Sequence, residues 1–454
     1  MKKNEELVVE IIDNGINGEG VAKIDGMPIF IPGTIKGEKV KIKILKVLAS
    51  HAFGKAIEII EKSNNRIQSD CETYPRCGGC NLRHCEYDFT IDMKKNSVQN
   101  TLTKALGRKI EALEVLKMEE PFFYRNKLQY PVGIDKYGCP VMGVYAQRSH
   151  SIVPTKECKI QDKLCQEIAN YIFEFIKENN IPVYNEKTLE GSIRHIIIRI
   201  GKKTNEVMVT LVSNNNNIPK EKDLVNAITS KFSEVKTIAK NINNKNTNVI
   251  LGNKTEILYG EGYIYDYLGN KKFKISPMSF YQVNPIQTEK LYSKAVEYAN
   301  LTGKETIFDL YCGIGTIGIF ASDNVKKIYG IETIPEAIED AKENARINGI
   351  ENSEFFSGDV EKILPDLINK RNLAADVVFI DPPRKGCDKV AIDTILKIEP
   401  KRIVYVSCNP ATLGRDLKLL EEKYSLGKLA ICDMFCFTSH IECVCVLEYI
   451  GDKI

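Results

Sequence analysis

Residues 304–322, KETIFDLYCGIGTIGIFAS, leave the chain around them little choice of fold. An apolar run ending in Asp309 reads as a strand buried on both faces, the glycines after it make a tight turn, and a helix starts at once. A strand that feeds a helix in this way needs parallel neighbours. KKIYGIE, FFSGDV, ADVVFIDPPRKG and RIVYVSCNP supply them in succession. The last third is therefore expected to be a doubly wound, Rossmann-like α/β sheet with its ligand crevice at the carboxyl ends of the strands.

Gly313, Gly315 and Gly318 fit G-x-G-x-x-G, a dinucleotide pattern of little specificity by itself. Glu332 ends the second strand, where it can accept from ribose hydroxyls, and Asp359 follows the third, where an adenine amino group would sit. NAD and S-adenosylmethionine both present an adenosine, so three strands leave the cofactor open. The fourth ends in Asp381-Pro382-Pro383-Arg384. An acidic residue before two prolines is where methyltransferases hold a planar base beside the methyl donor. Amino-group methylases usually place an aromatic residue next, and Arg384 stands there, which favours a ring carbon as the target. C5 of uracil is too weak a nucleophile unless a thiolate first adds at C6, and Cys408, at the end of RIVYVSCNP, is positioned for that addition. A base must then remove the C5 proton, and Glu442 in the otherwise apolar FTSHIECVCVL is the candidate.

A chain of 454 residues exceeds a single core, and its net charge of +3 requires any nucleic-acid contact to come from local patches. MKKNEELVVE lacks the apolar run of a signal peptide, and no apolar run is long enough to span a bilayer, so a cytoplasmic, non-membrane protein is expected. In such a chain fourteen cysteines read as ligands, nucleophiles or core thiols. Cys71, Cys77 and Cys80 form C-x5-C-x2-C, a metal signal short of one ligand, with Cys85, Cys139, Cys158 and Cys165 as candidates for the fourth. Tetrahedral thiolates serve zinc and iron–sulfur clusters alike, so spacing leaves the two open. Cys312, Cys387, Cys432, Cys436, Cys443 and Cys445 lack ligand spacing and read as core thiols.

Before the cysteines, Asp25-Gly26 signals a hairpin, and Lys39, Lys41 and Lys43 alternate with Val40, Ile42 and Ile44, as in a small barrel with one basic face. Residues 118–275 are strand-rich. There YRNKLQYPVG sets Arg125 and Lys127 beside Tyr124 and Tyr130, a mix suited to phosphates and stacked bases, while CQEIANYIFEFIKENN repeats apolar residues at helical spacing.

FYQVNP, DLYCGIG, DPPRKG, SCNPATLGRD and HIECV, in this order, resemble the RNA 5-methyluridine (uracil-C5) methyltransferases, and the barrel with the cysteine cluster is similar to their ribosomal-RNA branch. The resemblance implies three parts: a TRAM barrel, OB-like, over 1–61; an α+β central domain over 62–275 that binds RNA and an iron–sulfur cluster; and a methyltransferase domain over 276–454. It implies Cys408 as nucleophile and Glu442 as base. Gln282, Tyr311, Glu332 and Asp381 would contact S-adenosylmethionine or the base beside it, as would Asp359 and Thr316, the latter standing where some relatives have Asn. A [4Fe-4S] cluster would sit on Cys71, Cys77, Cys80 and Cys158. A helix near 91–117 would pack with the catalytic domain. The substrate implied is a uridine of 23S ribosomal RNA, acted on by a monomer. A transfer-RNA uridine methylase is the alternative within this chemistry, and a non-catalytic iron–sulfur RNA-binding protein the alternative outside it.

Overall fold

The computed structural model describes residues 1–112 and 114–451. The strands β1 (Glu6–Glu10), β2 (Asp13–Asn14), β3 (Gly20–Ile24), β4 (Met27–Ile31), β5 (Lys39–Val47) and β6 (Ala52–Glu61) form one sheet in the order β1-β5-β6-β4-β3-β2. Asp25 and Gly26 take positive φ, 51° and 80°, as a two-residue loop between β3 and β4 requires. Val40, Ile42 and Ile44 fill the core of this sheet with Ile29 and Ile31. The outward lysines are not all free. Lys39 Nζ lies 3.4 Å from Glu61 and Lys41 Nζ 2.9 Å from Glu6, so the face expected to be basic is largely one of paired charges.

Next come α1 (Tyr87–Leu106) and β7 (Glu114–Leu116). The helix expected to run towards residue 117 ends well short of it, because Gly107 takes a left-handed cap (φ 69°) and returns its N–H to Thr103 O at 2.9 Å. The central sheet contains β8 (Lys127–Ile134), β9 (Pro140–Tyr145), β10 (Ile152–Pro154), β11 (Ile193–Ile200), β12 (Val207–Ser213), β13 (Val235–Ile242) and β14 (Lys254–Tyr259), in the order β10-β9-β8-β11-β12-β13-β14. Two helices, α2 (Lys163–Glu178) and α3 (Glu221–Lys231), cover one face, where Leu128, Tyr130, Ile196 and Ile198 pack against Ile168, Ile172 and Ile228. Tyr124 and Tyr130 are each 1% exposed. They are core residues and unavailable to stack on bases, because the two-residue period of an extended chain turns them away from Arg125 and Lys127.

The last unit opens with the hairpin β15 (Ile264–Leu268) and β16 (Lys271–Ile275), continues with α4 (Pro285–Ala299), β17 (Thr306–Leu310), α5 (Thr316–Phe320), β18 (Lys327–Glu332), α6 (Pro335–Ile347), β19 (Ser353–Ser357), α7 (Val360–Arg371) and β20 (Val377–Ile380), and closes with α8 (Lys389–Ile398), β21 (Arg402–Ser407), α9 (Pro410–Leu420), β22 (Tyr424–Cys432) and β23 (Glu442–Tyr449). Its sheet runs β19-β18-β17-β20-β21-β23-β22-β7. The first five are parallel, and β23 enters antiparallel between β21 and β22. Ile264, Leu268, Phe273 and Ile275 of the β15–β16 hairpin pack in this core, although their stretch reads in sequence as part of the middle segment. Val98, Leu102 and Leu106 of α1 pack against the opposite face of the sheet, with Phe308, Val378 and Ile380. Gly414 on α9 makes that docking close: a Cβ there would stand 2.6 Å from Ala105 Cβ. Among the described residues no helix is long and apolar enough to cross a membrane.

Candidate active site

The chain order reverses between β17 and β20, and the crevice outside their carboxyl ends is the switch point of the sheet. Asp309, fully buried on β17, accepts from Gly318 N at 2.8 Å through Oδ2. A Cβ on Gly318 would come within 3.0 Å of that oxygen, so only glycine lets the helix begin this close to the strand. Burial pushes the Asp309 carboxyl up to about 7, with the neighbouring Asp381 and Glu332 adding to the rise. Glu332, at the end of β18, accepts from Gly313 N at 3.1 Å and Ile334 N at 3.1 Å. Gly313 has φ 56° and open space where a side chain would stand, which leaves the turn free for a ligand to approach its backbone.

Tyr311 takes φ 63° and donates its hydroxyl to Glu361 at 3.4 Å. Thr316 opens α5 with its hydroxyl 3.4 Å from that of Tyr292. Asp359 caps the start of α7, its oxygens accepting from Thr333 Oγ1 at 3.0 Å and Lys362 Nζ at 2.6 Å; the Lys362 bond holds its carboxyl below the usual range. Gln282 lies on residues 276–284 between β16 and α4, where its carbonyl accepts from Asn126 Nδ2 at 3.0 Å. Asp340 of α6 fixes this segment by accepting from Ser276 Oγ at 2.9 Å and Ser279 Oγ at 2.6 Å. Its role has no signal in sequence, since its partners lie more than sixty positions away.

Cys408 and Glu442 meet through strand register. The β21–β23 pairing ends with Ser407 opposite Cys443, and Cys408 and Glu442 are the next residues on the two strands. Asn409 caps α9 and Pro410 begins it, so the strand breaks at the cysteine and leaves the thiol half-exposed at the crevice. Burial pushes the Cys408 thiol up to about 11, the charges of Glu442 and Asp381 raise it further, and Arg384 draws it down. Glu442 is 4% exposed. Burial holds its carboxyl well above the usual range, Asp381 adds to this, and Arg384 opposes it. Asp381 itself is pushed up to about 7 by burial. One thiol, two carboxyls and one guanidinium thus act on one another, an arrangement that shifts the proton affinities of all of them.

Sequence reasoning named SCNPATLGRD without assigning its last two residues. Asp416 is fully buried and accepts from Tyr405 Oη at 2.6 Å and Cys387 N at 2.8 Å. Arg415 bonds Asp416 Oδ1 at 2.8 Å and donates to the carbonyls of Lys385 and Cys387, both at 3.0 Å. Together they clamp the loop that carries Asp381 and Arg384.

The three cysteines of the sequence pattern lie near Cys158, the fourth that the resemblance implies. Cys80 and Cys158 pack in one small cluster with Tyr124, Cys436 and Phe437. Burial pushes Cys80 up to about 12, with further rises from Cys158, Cys77 and Cys71, so all four thiols feel one another. Gly79 N donates to Cys77 Sγ at 3.2 Å, and burial pushes the Cys158 thiol up against the opposing pull of the Ile160 and Gln161 amides. Cys85 lies apart against Ile35 and Leu82, Cys165 belongs to the α2 core, and Cys139 is exposed. Among the described residues no three His, Cys, Asp or Glu side chains stand close enough around one point to hold a single metal ion. The segment is tied to the catalytic unit: Leu82 N donates to Phe437 O at 2.9 Å, and Arg83 lies 4.1 Å from the Phe437 ring centroid.

An open α/β sheet with an inserted antiparallel strand, and acidic residues at its switch point beside a thiol, is the architecture of S-adenosylmethionine-dependent methyltransferases, here joined to a small barrel. The family model for tRNA (uracil-5-)-methyltransferase matches residues 203–450 and that for the TRAM domain residues 2–57. The chain belongs to this uracil-5-methyltransferase family. It is 49% identical over 453 residues to an uncharacterised RNA methyltransferase of Clostridium acetobutylicum, covering 99% of this chain and 98% of the relative. It is 46% identical to one of Halalkalibacterium halodurans, covering 99% and 98%. The crystal structure of Pyrococcus abyssi tRNA (uracil-54, C5)-methyltransferase in complex with S-adenosyl-L-homocysteine superimposes with a TM-score of 0.78 at 28% identity, covering 98% of this chain and all of that one.

Proposed function

We propose that this enzyme methylates C5 of a uridine in 23S ribosomal RNA, with Cys408 as nucleophile and Glu442 as the proton-abstracting base. The observation that carries the reading is the adjacency of the two residues on neighbouring strands at the crevice. Cys408 gives up its thiol proton to solvent, the thiolate Sγ adds to C6 of the flipped uracil, and the electron pair of the C5–C6 bond moves to C5. S-adenosylmethionine, when bound, supplies the methyl group that C5 takes up. Glu442 then removes the C5 proton, the pair re-forms the double bond, and the Sγ–C6 bond breaks. The open turn at Gly313 fits a donor held by Glu332, Asp359, Tyr311, Thr316 and Gln282, with Asp381 between donor and base.

The ribosomal target rests on the barrel and cysteine segment that resemble that branch. A transfer-RNA target is the second reading, favoured by the transfer-RNA substrate of the Pyrococcus enzyme. Mapping 5-methyluridine in cells lacking the gene decides between them: loss from one site of 23S RNA is expected, and loss from transfer RNA alone would establish the second reading.

We also assign a [4Fe-4S] cluster to Cys71, Cys77, Cys80 and Cys158. Four thiols that act on one another are a donor set such a cluster can use, and the Gly79 amide directed at Cys77 Sγ is the kind of contact that tunes it. Protein purified without oxygen is expected to be brown with about four iron atoms per chain. Stoichiometric zinc without iron would contradict the assignment.

A further inference from the structure

We propose that Arg125, Lys127 and Arg199 form a phosphate-binding site that holds the RNA backbone beside the catalytic crevice. Lys127 on β8 pairs in register with Arg199 on β11, and Arg125 precedes Lys127 by two residues, so all three lie on the sheet face opposite α2 and α3. None of the three makes a salt bridge among the described residues, and Arg125 Nε is buried with no partner. Arg199 is 3% exposed, with one guanidinium nitrogen donating to Ser279 O at 3.0 Å. Arg199 is buried and Arg125 and Lys127 are half-buried beside it, and three cations gathered in this way without a paired acid are costly unless an anion completes the site. The mutual cost is visible in Lys127, which burial, then Arg199 and Arg125, push down to about 8.

The position selects the anion. Asn126, between the first two cations, donates N to Val283 O at 2.9 Å and Nδ2 to Gln282 O at 3.0 Å, so the triad borders the segment that carries Gln282. In the other direction the same face continues through Gln129, Pro131 and His195 into a cavity of about 570 Å³, also lined by Gly78, Gly79 and Tyr145. Lys127 and Pro131 are four residues apart, about 13 Å of strand, which is room for a few nucleotides of one chain. A guanidinium fork and an ammonium are the groups that hold a phosphate bidentately and by charge. The carboxylate of the methyl donor shares this chemistry, and the test separates the two.

The inference rests on RNA being the substrate and is independent of the Cys408 chemistry, because binding is read without methyl transfer. Deproteinised 23S RNA is titrated by filter binding in S-adenosyl-L-homocysteine across a range of salt. Lys127→Gln and Arg125→Gln are each expected to weaken RNA binding about tenfold and to flatten the salt dependence by about 0.7–0.9 in log–log slope. Lys127→Arg is expected to keep both, and S-adenosylmethionine affinity is expected to be unchanged throughout. Three results overturn the proposal: unaltered RNA slopes in both Gln variants; loss of S-adenosylmethionine affinity with RNA binding retained, which would give the site to the donor's carboxylate; or equal RNA loss in Lys127→Arg and Lys127→Gln, which would make the lysine's role one of shape.

Discussion

Glu442→Gln is expected to accumulate a covalent protein–RNA complex that survives denaturing electrophoresis and already carries the methyl group. The variant keeps Cys408 and the donor crevice, so addition and methyl transfer proceed. Only the C5 proton then lacks an acceptor, and the Sγ–C6 bond cannot break until that proton leaves. Cys408→Ala is expected to bind RNA and S-adenosylmethionine yet give neither adduct nor product, a loss of several orders of magnitude in kcat. Wild-type turnover in Glu442→Gln would move the base elsewhere, and activity in Cys408→Ala would end the covalent mechanism.

The same pair sets a pH signature. With its thiol at about 11, Cys408 is almost wholly protonated at neutrality in the free enzyme. Its alkylation, followed on the peptide by mass spectrometry, is expected to rise about tenfold per pH unit between roughly 7 and 9, since only the thiolate reacts. After burial, the carboxylate of Glu442 is the strongest influence raising the thiol, so wherever Glu442 is ionised Glu442→Gln should alkylate faster than wild type.

The acidic residues Asp309, Glu332 and Asp381 are legible in sequence because each lies within one residue of the end of a strand, after an apolar run whose length fixes where the sheet stops. Cys408 is legible for the same reason, with Pro410 unable to continue the ladder. What could not be read are side chains whose partners are remote along the chain, such as Asp340 with Ser276 and Ser279. Tyr124 and Tyr130 illustrate a second failure. Composition grouped them with Arg125 and Lys127, but alternation along an extended strand decides which face each side chain meets, and the tyrosines went to the core. Lys39 and Lys41 are a third case, since the cross-strand glutamates that neutralise them follow from register rather than from local pattern.

Asp416→Ala is expected to lower stability by about 3–5 kcal/mol and to slow turnover by more than the lost stability explains. Removing the carboxylate strands the buried hydroxyl of Tyr405 and the buried amide of Cys387, each at about 1–3 kcal/mol. The Arg415 contact adds little to that sum, because its side chain is 51% exposed and water screens it. The kinetic effect has a separate origin. Arg415 holds the carbonyls of Lys385 and Cys387, while Asn409 Nδ2 holds Arg384 O at 3.0 Å, so the loop is pinned to α9 at two points. With Asp416 gone, Arg415 loses its anchor and Arg384 is free to drift from the thiol it draws down. Asp416→Asn preserves bulk and one acceptor, and so isolates this positioning role from folding: it should melt within a few degrees of wild type, yet shift Cys408 alkylation to higher pH and lower kcat with S-adenosylmethionine affinity held. If the Asn variant leaves the alkylation profile where it was, Asp416 supports the fold alone and has no part in tuning the nucleophile.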